Sequence, residues 1–184
     1  MSSLPYDYLI RSLGKSNFLD DTAYKIPIIE TNRRGAIVLR ALMLNCVSER
    51  YQDLWERCWK QSYCLDGWST DDDKLSRGIF KTLSSAWSSS SFLKSDYERR
   101  WALIEIDVLV AQSLGMDLKQ LLTVYRTQFP VLKKYEEDTW YDHNGRIVFT
   151  NNRSLTGVGF DRNEWENSIK NSPAGERFCR TITD

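Results

Sequence analysis

The sequence predicts an α+β fold, mostly α-helical with a C-terminal β-hairpin. Two observations lead to this prediction. Apolar residues recur at helical spacing in several stretches between residues 33 and 137. An Asn-Gly pair then separates two runs of aromatic and β-branched residues within 139–150. A length of 184 residues allows one domain, or one domain with an appendage.

The composition limits the classes of function. Seven Trp, nine Tyr and seven Phe are enough aromatic residues to argue against disorder over most of the chain. Lys plus Arg and Asp plus Glu both total 25, so the net charge does not by itself suggest a phosphate backbone as partner. We find no secretory signal and no apolar run of about 20 residues, and so expect a cytoplasmic protein without a membrane partner.

The N-terminal half contains one weak and one stronger structural signal. Within residues 4–30, the sequence KIPII (25–29) is expected to be extended, because a residue before proline avoids the helical region. Residues 31–59 are helix-compatible and fit two consecutive helices or one kinked helix equally well, with Ser48 as a candidate N-cap. The turn-rich, Ser-rich stretch Asp66–Ser95 is predicted to be a surface connection, with a short helix around Leu75–Leu83.

Helix signals are strongest after residue 95. Ser95 and Glu98 form a capping box before an apolar periodic run that ends at Gly115, a natural C-terminal residue. Asp117, with a glutamine three positions on, predicts the next N-cap, and Pro130 opens a further helix at the position where proline is tolerated.

The hairpin prediction rests on Asn144 and Gly145. Both central residues of a type I′ turn need a positive φ, which Asn and Gly tolerate, so His143 is expected to pair with Arg146 across the turn. A last helix is predicted after Asp161, with Glu164 at its third position.

Few residues suggest catalysis or a metal site. The single histidine, His143, excludes two-histidine zinc sites and makes a hydrolase triad implausible at a hairpin tip. No P-loop and no GxGxxG follows a strand, so neither a cofactor nor a metal is predicted. Glu105 and Asp107 lie in an apolar helix, and a buried structural ion pair with another element is favoured over acid–base chemistry.

Cysteines add no further site. None of the four forms a CxxC pair, so zinc-ribbon and redox motifs are poorly supported and reduced, packed thiols are expected. They are Cys46, Cys58, Cys64 and Cys179.

Basic residues near the hairpin allow two interpretations. A hairpin flanked by helices can lie on a DNA backbone or groove, whereas solvated charges around a packed hairpin are favoured by spacing alone. The residues concerned are Arg126, Lys133, Lys134, Arg146 and Arg153, with Tyr125, Trp140, Tyr141 and Phe149 among them.

Two motifs follow one another near the N-terminus: YDYLIRSLGKSN (6–17) and then YKIPII (24–29). This pair resembles the end of the target-recognition region in large bacterial adenine-specific DNA methylases of type IIG-like restriction–modification and phage-defence systems. Residues 39–56 resemble the helix pair that follows there, and residues 99–150 resemble the C-terminal part of the same proteins. The resemblance covers most of the chain.

Catalytic motifs of that family are missing here. Those enzymes bind S-adenosylmethionine and hold a flipped adenine with Asn-Pro-Pro-Tyr/Phe, whereas this chain has four prolines and no Pro-Pro. The resemblance therefore implies a noncatalytic C-terminal fragment or subunit that faces DNA or acts as a scaffold. DNA and a catalytic methyltransferase body, in the same or a separate chain, are the implied partners, with Arg11, Lys15 and Asn17 as the implied DNA contacts.

The resemblance also suggests a division of the chain, and one alternative function remains. Residues 1–30 correspond to a remnant of the target-recognition region, 31–170 to a helical domain with the hairpin at 139–150, and 171–184 to a loose tail. The alternative is a stand-alone protein-interaction domain without a DNA role, using an exposed aromatic face formed by Trp55, Trp59 and Trp87. A small enzyme would have only His143 and the cysteines to use.

Overall fold

The computed structural model describes residues 3–14, 24–28, 30–150 and 160–169, and it confirms a mostly helical α+β fold with a small hairpin near the C-terminus. Short 3-10 helices connect several of the elements. The α-helices are α1 (Leu4–Ser12), α2 (Arg34–Asn45), α3 (Gln52–Cys58), α4 (Asp96–Ser113), α5 (Leu118–Gln128), α6 (Pro130–Glu137) and α7 (Arg162–Glu164). The antiparallel strands are β1 (Trp140–Tyr141) and β2 (Ile147–Phe149).

The core forms where α2 packs on α4. Leu39 and Met43 of α2 and Ala102 of α4 are all fully buried. Trp55 of α3 is fully buried in the same cluster. The stretch 31–59 therefore contains two helices rather than one kinked helix, and Ser48 lies at the N-cap position of the intervening 3-10 turn without a side-chain cap bond.

The Ser-rich segment is not the surface connection that its composition predicts. It supplies buried apolar side chains to the core: Leu75, Phe80, Leu83 and Leu93. Its groups also satisfy the C-terminal carbonyls of α2, because the Leu93 amide donates to Met43 O at 3.0 Å and the Trp87 indole donates to Cys46 O at 2.8 Å. A helix end needs such partners when it is buried, so this segment completes α2.

Capping signals are confirmed. Ser95, Asp117 and Asp161 each form a capping box, Gly115 has φ +73° after α4, and Pro130 opens α6. Residues 24–28, which include most of KIPII, form a turn followed by irregular backbone. The predicted tail at 171–184 lies outside the described residues.

A buried ion cluster links three segments of the fold. The Arg40 guanidinium, on α2, donates to Glu105 Oε2 at 2.5 Å and to both Asp66 oxygens at 3.2 and 3.3 Å. Its two remaining N–H groups bond Ala36 O and Gly67 O, so all five donors are used. Glu105 is thus the buried structural ion-pair member that the sequence predicted, with its partner on another helix.

Asp107 anchors α1 to α4. The Leu4 amide, in the first turn of α1, donates to Asp107 Oδ1 at 2.6 Å, and the carboxylate is 7 % exposed. Burial raises the pKa of Asp107 to about 6, although the Leu4 bond and nearby Arg100 oppose that shift. A negative charge at a helix N-terminus is favourable, so one carboxylate both satisfies an orphan amide and positions the helix.

Neutralising Asp107 is expected to change how stability depends on pH. The folded-state pKa of Asp107 lies above the unfolded value, so the protonated carboxyl is the form that the fold favours. Its contribution to stability is fully present below about pH 4 and is lost as the group ionises, while pH rises towards about 6. Asp107→Asn keeps an oxygen for Leu4, and we expect it to stabilise the protein by about 1–2 kcal/mol at pH 7 and hardly at pH 4. Urea denaturation at several pH values measures the difference. The exposed Asp53→Asn serves as control, and parallel pH profiles for wild type and Asp107→Asn would contradict the assignment.

No helix among the described residues is both long and apolar enough to cross a membrane.

Candidate functional site

The hairpin turn differs from the predicted type. Gly145 has φ +73°, but no non-glycine residue among the described ones has positive φ, so Asn144 does not adopt a type I′ conformation. The Gly145 amide bonds Asp142 O at 3.0 Å, and the Asp142 amide bonds Arg146 O at 3.0 Å. The loop therefore has three residues, with a type I-like turn followed by a left-handed glycine. Asp142, not His143, is opposite Arg146.

Asp142 holds this loop together from inside. Its side chain is 2 % exposed, and Oδ1 accepts the amides of Asn144 and Arg146, each at 2.9 Å. Its other oxygen, Oδ2, accepts Arg146 Nε at 2.7 Å and is ion-paired with the same guanidinium through Nη2. A buried carboxylate with this many donors fixes the conformation of the loop.

The tip of the hairpin docks on the N-terminus of α4. The Tyr97 amide donates to Gly145 O at 2.9 Å, and the Ile147 amide donates to Asp96 Oδ2 at 3.1 Å. A Cβ at Gly145 would lie 2.9 Å from Tyr97 Cβ and 3.0 Å from Ser95 Oγ. The loop glycine is therefore required by close approach as well as by φ, and the turn serves a structural role.

His143 does not form a catalytic arrangement. Its side chain is half-buried in the turn, and its buried Nε2 has no hydrogen-bond partner among the described residues. A general base needs a second group to fix its tautomer and orientation, and none is present in the described part of the chain. Within those same residues, no three His, Cys, Asp or Glu side chains come together to hold a metal ion.

The buried thiol of Cys46 is poorly suited to nucleophilic catalysis. Cys46 is buried, and burial followed by the proximity of Cys58 raises the pKa of its thiol. Cys46, Cys58 and Cys64 are free, and Cys179 lies outside the described residues. A raised pKa disfavours the nucleophilic thiolate.

A first cavity lies between α4, α6 and the hairpin. Its volume is about 370 Å³, which is at the lower end of the range for small-ligand pockets. Four aromatic side chains contribute to its wall, and its polar lining groups are Arg100, Glu136 and Thr139. The four are Tyr97, Trp101, Tyr135 and Tyr141.

A second cavity of about 380 Å³ adjoins the first across β1. The two share Tyr97, Thr139 and Tyr141 in their walls, and the second adds Trp140, Trp165, Lys74 and Glu166. Trp140 contacts Phe149 and Trp165, with ring centroids 5.1 and 5.3 Å apart. We define the hairpin aromatic surface as Tyr97, Trp101, Tyr135, Trp140, Tyr141 and Trp165.

Charges in the wall of the first cavity neutralise each other. Arg100 and Glu136 form an ion pair, and the Tyr125 hydroxyl donates to Glu136 Oε2 at 2.5 Å. Burial, reinforced by the Glu136 hydrogen bond, raises the pKa of Tyr125. Burial also raises the pKa of Tyr141, so these phenols stay neutral and can act as hydrogen-bond groups at neutral pH.

Cations lie over the rings at the edge of the hairpin aromatic surface. Lys74 Nζ is 5.4 Å from the Tyr97 ring centroid, and the Arg162 guanidinium is 5.0 Å from that of Trp140. Each has a carboxylate partner, Asp72 at 3.8 Å and Asp138 at 3.3 Å respectively. These cations therefore add little net charge to the surface.

Burial, together with the hydrogen bond to Asp72, raises the pKa of Tyr97 to about 12. The Asp72 carboxylate accepts from both the Tyr97 hydroxyl at 2.8 Å and the Lys74 amide at 2.9 Å. These bonds and the Lys74 charge outweigh burial and lower the pKa of Asp72. Tyr97 is consequently fixed as a neutral ring between the two cavities.

The residues implied as DNA contacts are described only in part. Arg11 lies in the last turn of α1 on the surface, where its guanidinium is 4.9 Å from the Phe129 ring centroid and 3.0 Å from the Asp7 carboxylate. Lys15 and Asn17 lie outside the described residues. The structure therefore places one of the three, on a helix that packs against α4 and α5 rather than against the hairpin.

The prediction of an exposed face formed by three tryptophans is wrong. Trp55 is fully buried and donates to Ser84 O at 2.9 Å. Trp59 is half-buried against Trp55, and Trp87 is half-buried and bonded to Cys46 O. These rings are part of the core and its edge, so they cannot form the exposed interaction surface.

Sequence reasoning missed the cavities beside the hairpin. Tyr97, Arg100 and Trp101 occupy positions i, i+3 and i+4 of α4 and so lie on one side of the helix. That spacing is a usable signal for an aromatic side of α4. Nothing in the sequence indicated that α6 would bring Tyr135 and Glu136 to the same place.

No family model, no curated protein and no solved structure matches this chain.

Proposed function

We propose that the chain is a noncatalytic, DNA-facing or scaffold module of an adenine-specific DNA methyltransferase that acts in cytoplasmic restriction–modification or phage defence. The proposal originates in the resemblance of residues 6–29, 39–56 and 99–150 to those enzymes. The observation that carries it further is the position of Arg11, which is held at the surface on the Phe129 ring, at the end of the helix that leads to Lys15 and Asn17.

Arg11 has the properties of a phosphate contact. Its side chain is 57 % exposed, and its ion pair with Asp7 is exposed too, so a phosphate can compete with that carboxylate at little cost. The Phe129 ring limits the rotamers of the guanidinium, which reduces the entropy lost on binding. Arg126 in the last turn of α5 is a further exposed cation near Phe129 in sequence.

A scaffold role has separate support. The described surface carries several large exposed apolar side chains on α5 and α6, including Leu118 and Val131, each 67 % exposed. Apolar exposure of this kind is typical of surfaces that pack on another protein part. The catalytic body and DNA are the two partners of this proposal.

Removing Arg11 is expected to weaken duplex binding and to reduce its salt dependence. Arg11→Ala deletes one phosphate contact, so we expect about three- to ten-fold weaker binding at low salt and a log–log salt slope shallower by about 0.9. Fluorescence anisotropy of a labelled duplex across a salt series measures both quantities. Arg57→Ala removes an exposed arginine from α3 and is the matched control.

Two results would count against DNA contact at Arg11. Equal losses for Arg11→Ala and Arg57→Ala would show only the effect of lowering net charge. Absence of duplex binding at low salt would leave the scaffold role, which co-purification with a separately expressed methyltransferase body then tests.

A further inference from the structure

We propose that the hairpin aromatic surface binds an unpaired stretch of nucleic-acid strand, with one base stacked in each of its two cavities. This site is distinct from the duplex contact at Arg11. The inference rests on the proposed function, which supplies DNA as a partner. It goes further by naming unpaired strand as the ligand, which the proposed function does not require.

The ring geometry of the surface suits stacking. Tyr97 and Trp101 lie nearly parallel, at 23° with centroids 6.2 Å apart, while Tyr141 is edge-on to Tyr97. Tyr135 is 48 % exposed, so part of the first cavity's aromatic wall is open to solvent. Aromatic platforms of this kind bind bases without sequence preference, because every base has a π-face.

Charge in the first cavity favours a neutral ring over a cation. Glu136 already pairs with Arg100 and accepts from Tyr125, so its carboxylate is not available to attract an ammonium group. The Arg100–Glu136 ion pair leaves this wall without net charge, so the wall does not attract cations. A base is neutral and planar, and it can hydrogen-bond to the neutral hydroxyl of Tyr141.

The pairing of the cavities favours a strand over a single aromatic side chain from a protein partner. The cavities adjoin across β1 and share Tyr97, Thr139 and Tyr141, so two planar groups in succession can occupy them. Lys74 and Arg162 lie at the edge of the same surface, over Tyr97 and Trp140. Successive bases on rings, with cations beside them, is the arrangement of single-strand binding surfaces.

Salt dependence separates this surface from Arg11. Lys74, Arg100 and Arg162 each have a carboxylate partner, so binding here releases few counterions. Stacking must then supply most of the affinity. We expect a shallow salt slope for unpaired strand, in contrast to the steeper slope expected for duplex.

The test is binding of a labelled oligothymidylate to the purified full chain, followed by anisotropy and by quenching of tryptophan fluorescence. Tyr135→Ala removes an exposed ring from α6 and introduces a helix-favouring residue, so the fold should be retained, which circular dichroism checks. We expect Tyr135→Ala to weaken binding between about five-fold and about a hundred-fold. Trp165→Leu probes the second cavity and should weaken binding in the same range. Tyr51→Ala, at a ring that is 43 % exposed, is the control and should bind as wild type does.

The outcomes distinguish this inference from the proposed function. If oligothymidylate binds with a shallow salt slope and depends on Tyr135, the inference holds even where duplex binding is absent. If duplex binding depends on Arg11 while oligothymidylate binding is absent, or is as strong in Tyr135→Ala as in Tyr51→Ala, the inference is overturned and the proposed function stands.

Discussion

Arg40→Ala is expected to destabilise the protein strongly. The substitution would remove the cation that pairs with the carboxylates of Glu105 and Asp66. Arg40 is 4 % and Glu105 is 5 % exposed, so the Glu105 charge would be left buried without its partner. Burial lowers the pKa of Arg40, but its bonds to Asp66 and Glu105 more than offset that effect, so the charge is well compensated in the native state. Breaking a buried pair from one side costs about 3–5 kcal/mol. For a chain of this size we expect the melting temperature to fall by about 6–20 °C.

Two further variants make this result interpretable. Arg57→Ala removes an exposed arginine and should change stability by no more than about 0.5 kcal/mol. Arg40→Met combined with Glu105→Gln removes both charges, and we expect it to be less destabilised than Arg40→Ala. Chemical denaturation gives the free energies of unfolding. A cost below about 1 kcal/mol for Arg40→Ala would show that the cluster is not the structural centre described above.

Gly145→Ala is expected to cost about 2–5 kcal/mol and to detach the hairpin from α4. Part of the cost is the positive φ of +73°, worth about 1–2 kcal/mol for a residue with a Cβ. The rest is overlap, because the new Cβ would lie 2.9 Å from Tyr97 Cβ and 3.2 Å from Ser95 Cβ, neither of which is the far end of a flexible side chain. Denaturation measures the energy, and protection of the Tyr97 amide from hydrogen exchange reports the docking.

Gly115 offers a matched control for this substitution. It has the same φ of +73°, but a Cβ there would meet nothing within 4 Å. Gly115→Ala should therefore show the backbone cost alone, about 1–2 kcal/mol, with the Tyr97 amide still protected. Equal costs at the two glycines would mean that the hairpin tip does not approach α4 as closely as described.

Much of the secondary structure could be predicted because helix caps and helix ends depend on interactions between residues that are close in sequence. The capping boxes of Ser95 and Asp117 and the C-terminal glycine of α4 depend on residues at most a few positions away, and all three are confirmed. The hairpin was located correctly by Asn144–Gly145. Its turn type was not, because Asp142 fixes a three-residue loop through its own side chain. The sequence shows an aspartate two positions before Asn144, but it does not show that this side chain is buried.

Features that depend on tertiary contacts could not be predicted from the sequence. The Ser-rich segment has the composition of a loop, yet it contributes Phe80 and Leu93 to the core because the carbonyl end of α2 needs partners there. Burial of Glu105 was predicted, whereas its pairing with Arg40, 65 positions away, was not. The aromatic cavities likewise form only where α4, α6 and β1 come together. The spacing of residues within one element does not predict which other elements it contacts.

Docking of the hairpin on α4 has a consequence for the order of folding. The capping box at Ser95 closes within one turn, so α4 can start without help from the rest of the chain. The bond from Tyr97 to Gly145 instead closes a loop of nearly fifty residues, whose entropy must be offset by contacts made afterwards. The hairpin should therefore join late and detach early. Both aromatic cavities would then form in the last step of folding and be lost in the first step of unfolding, since β1 provides a wall of each.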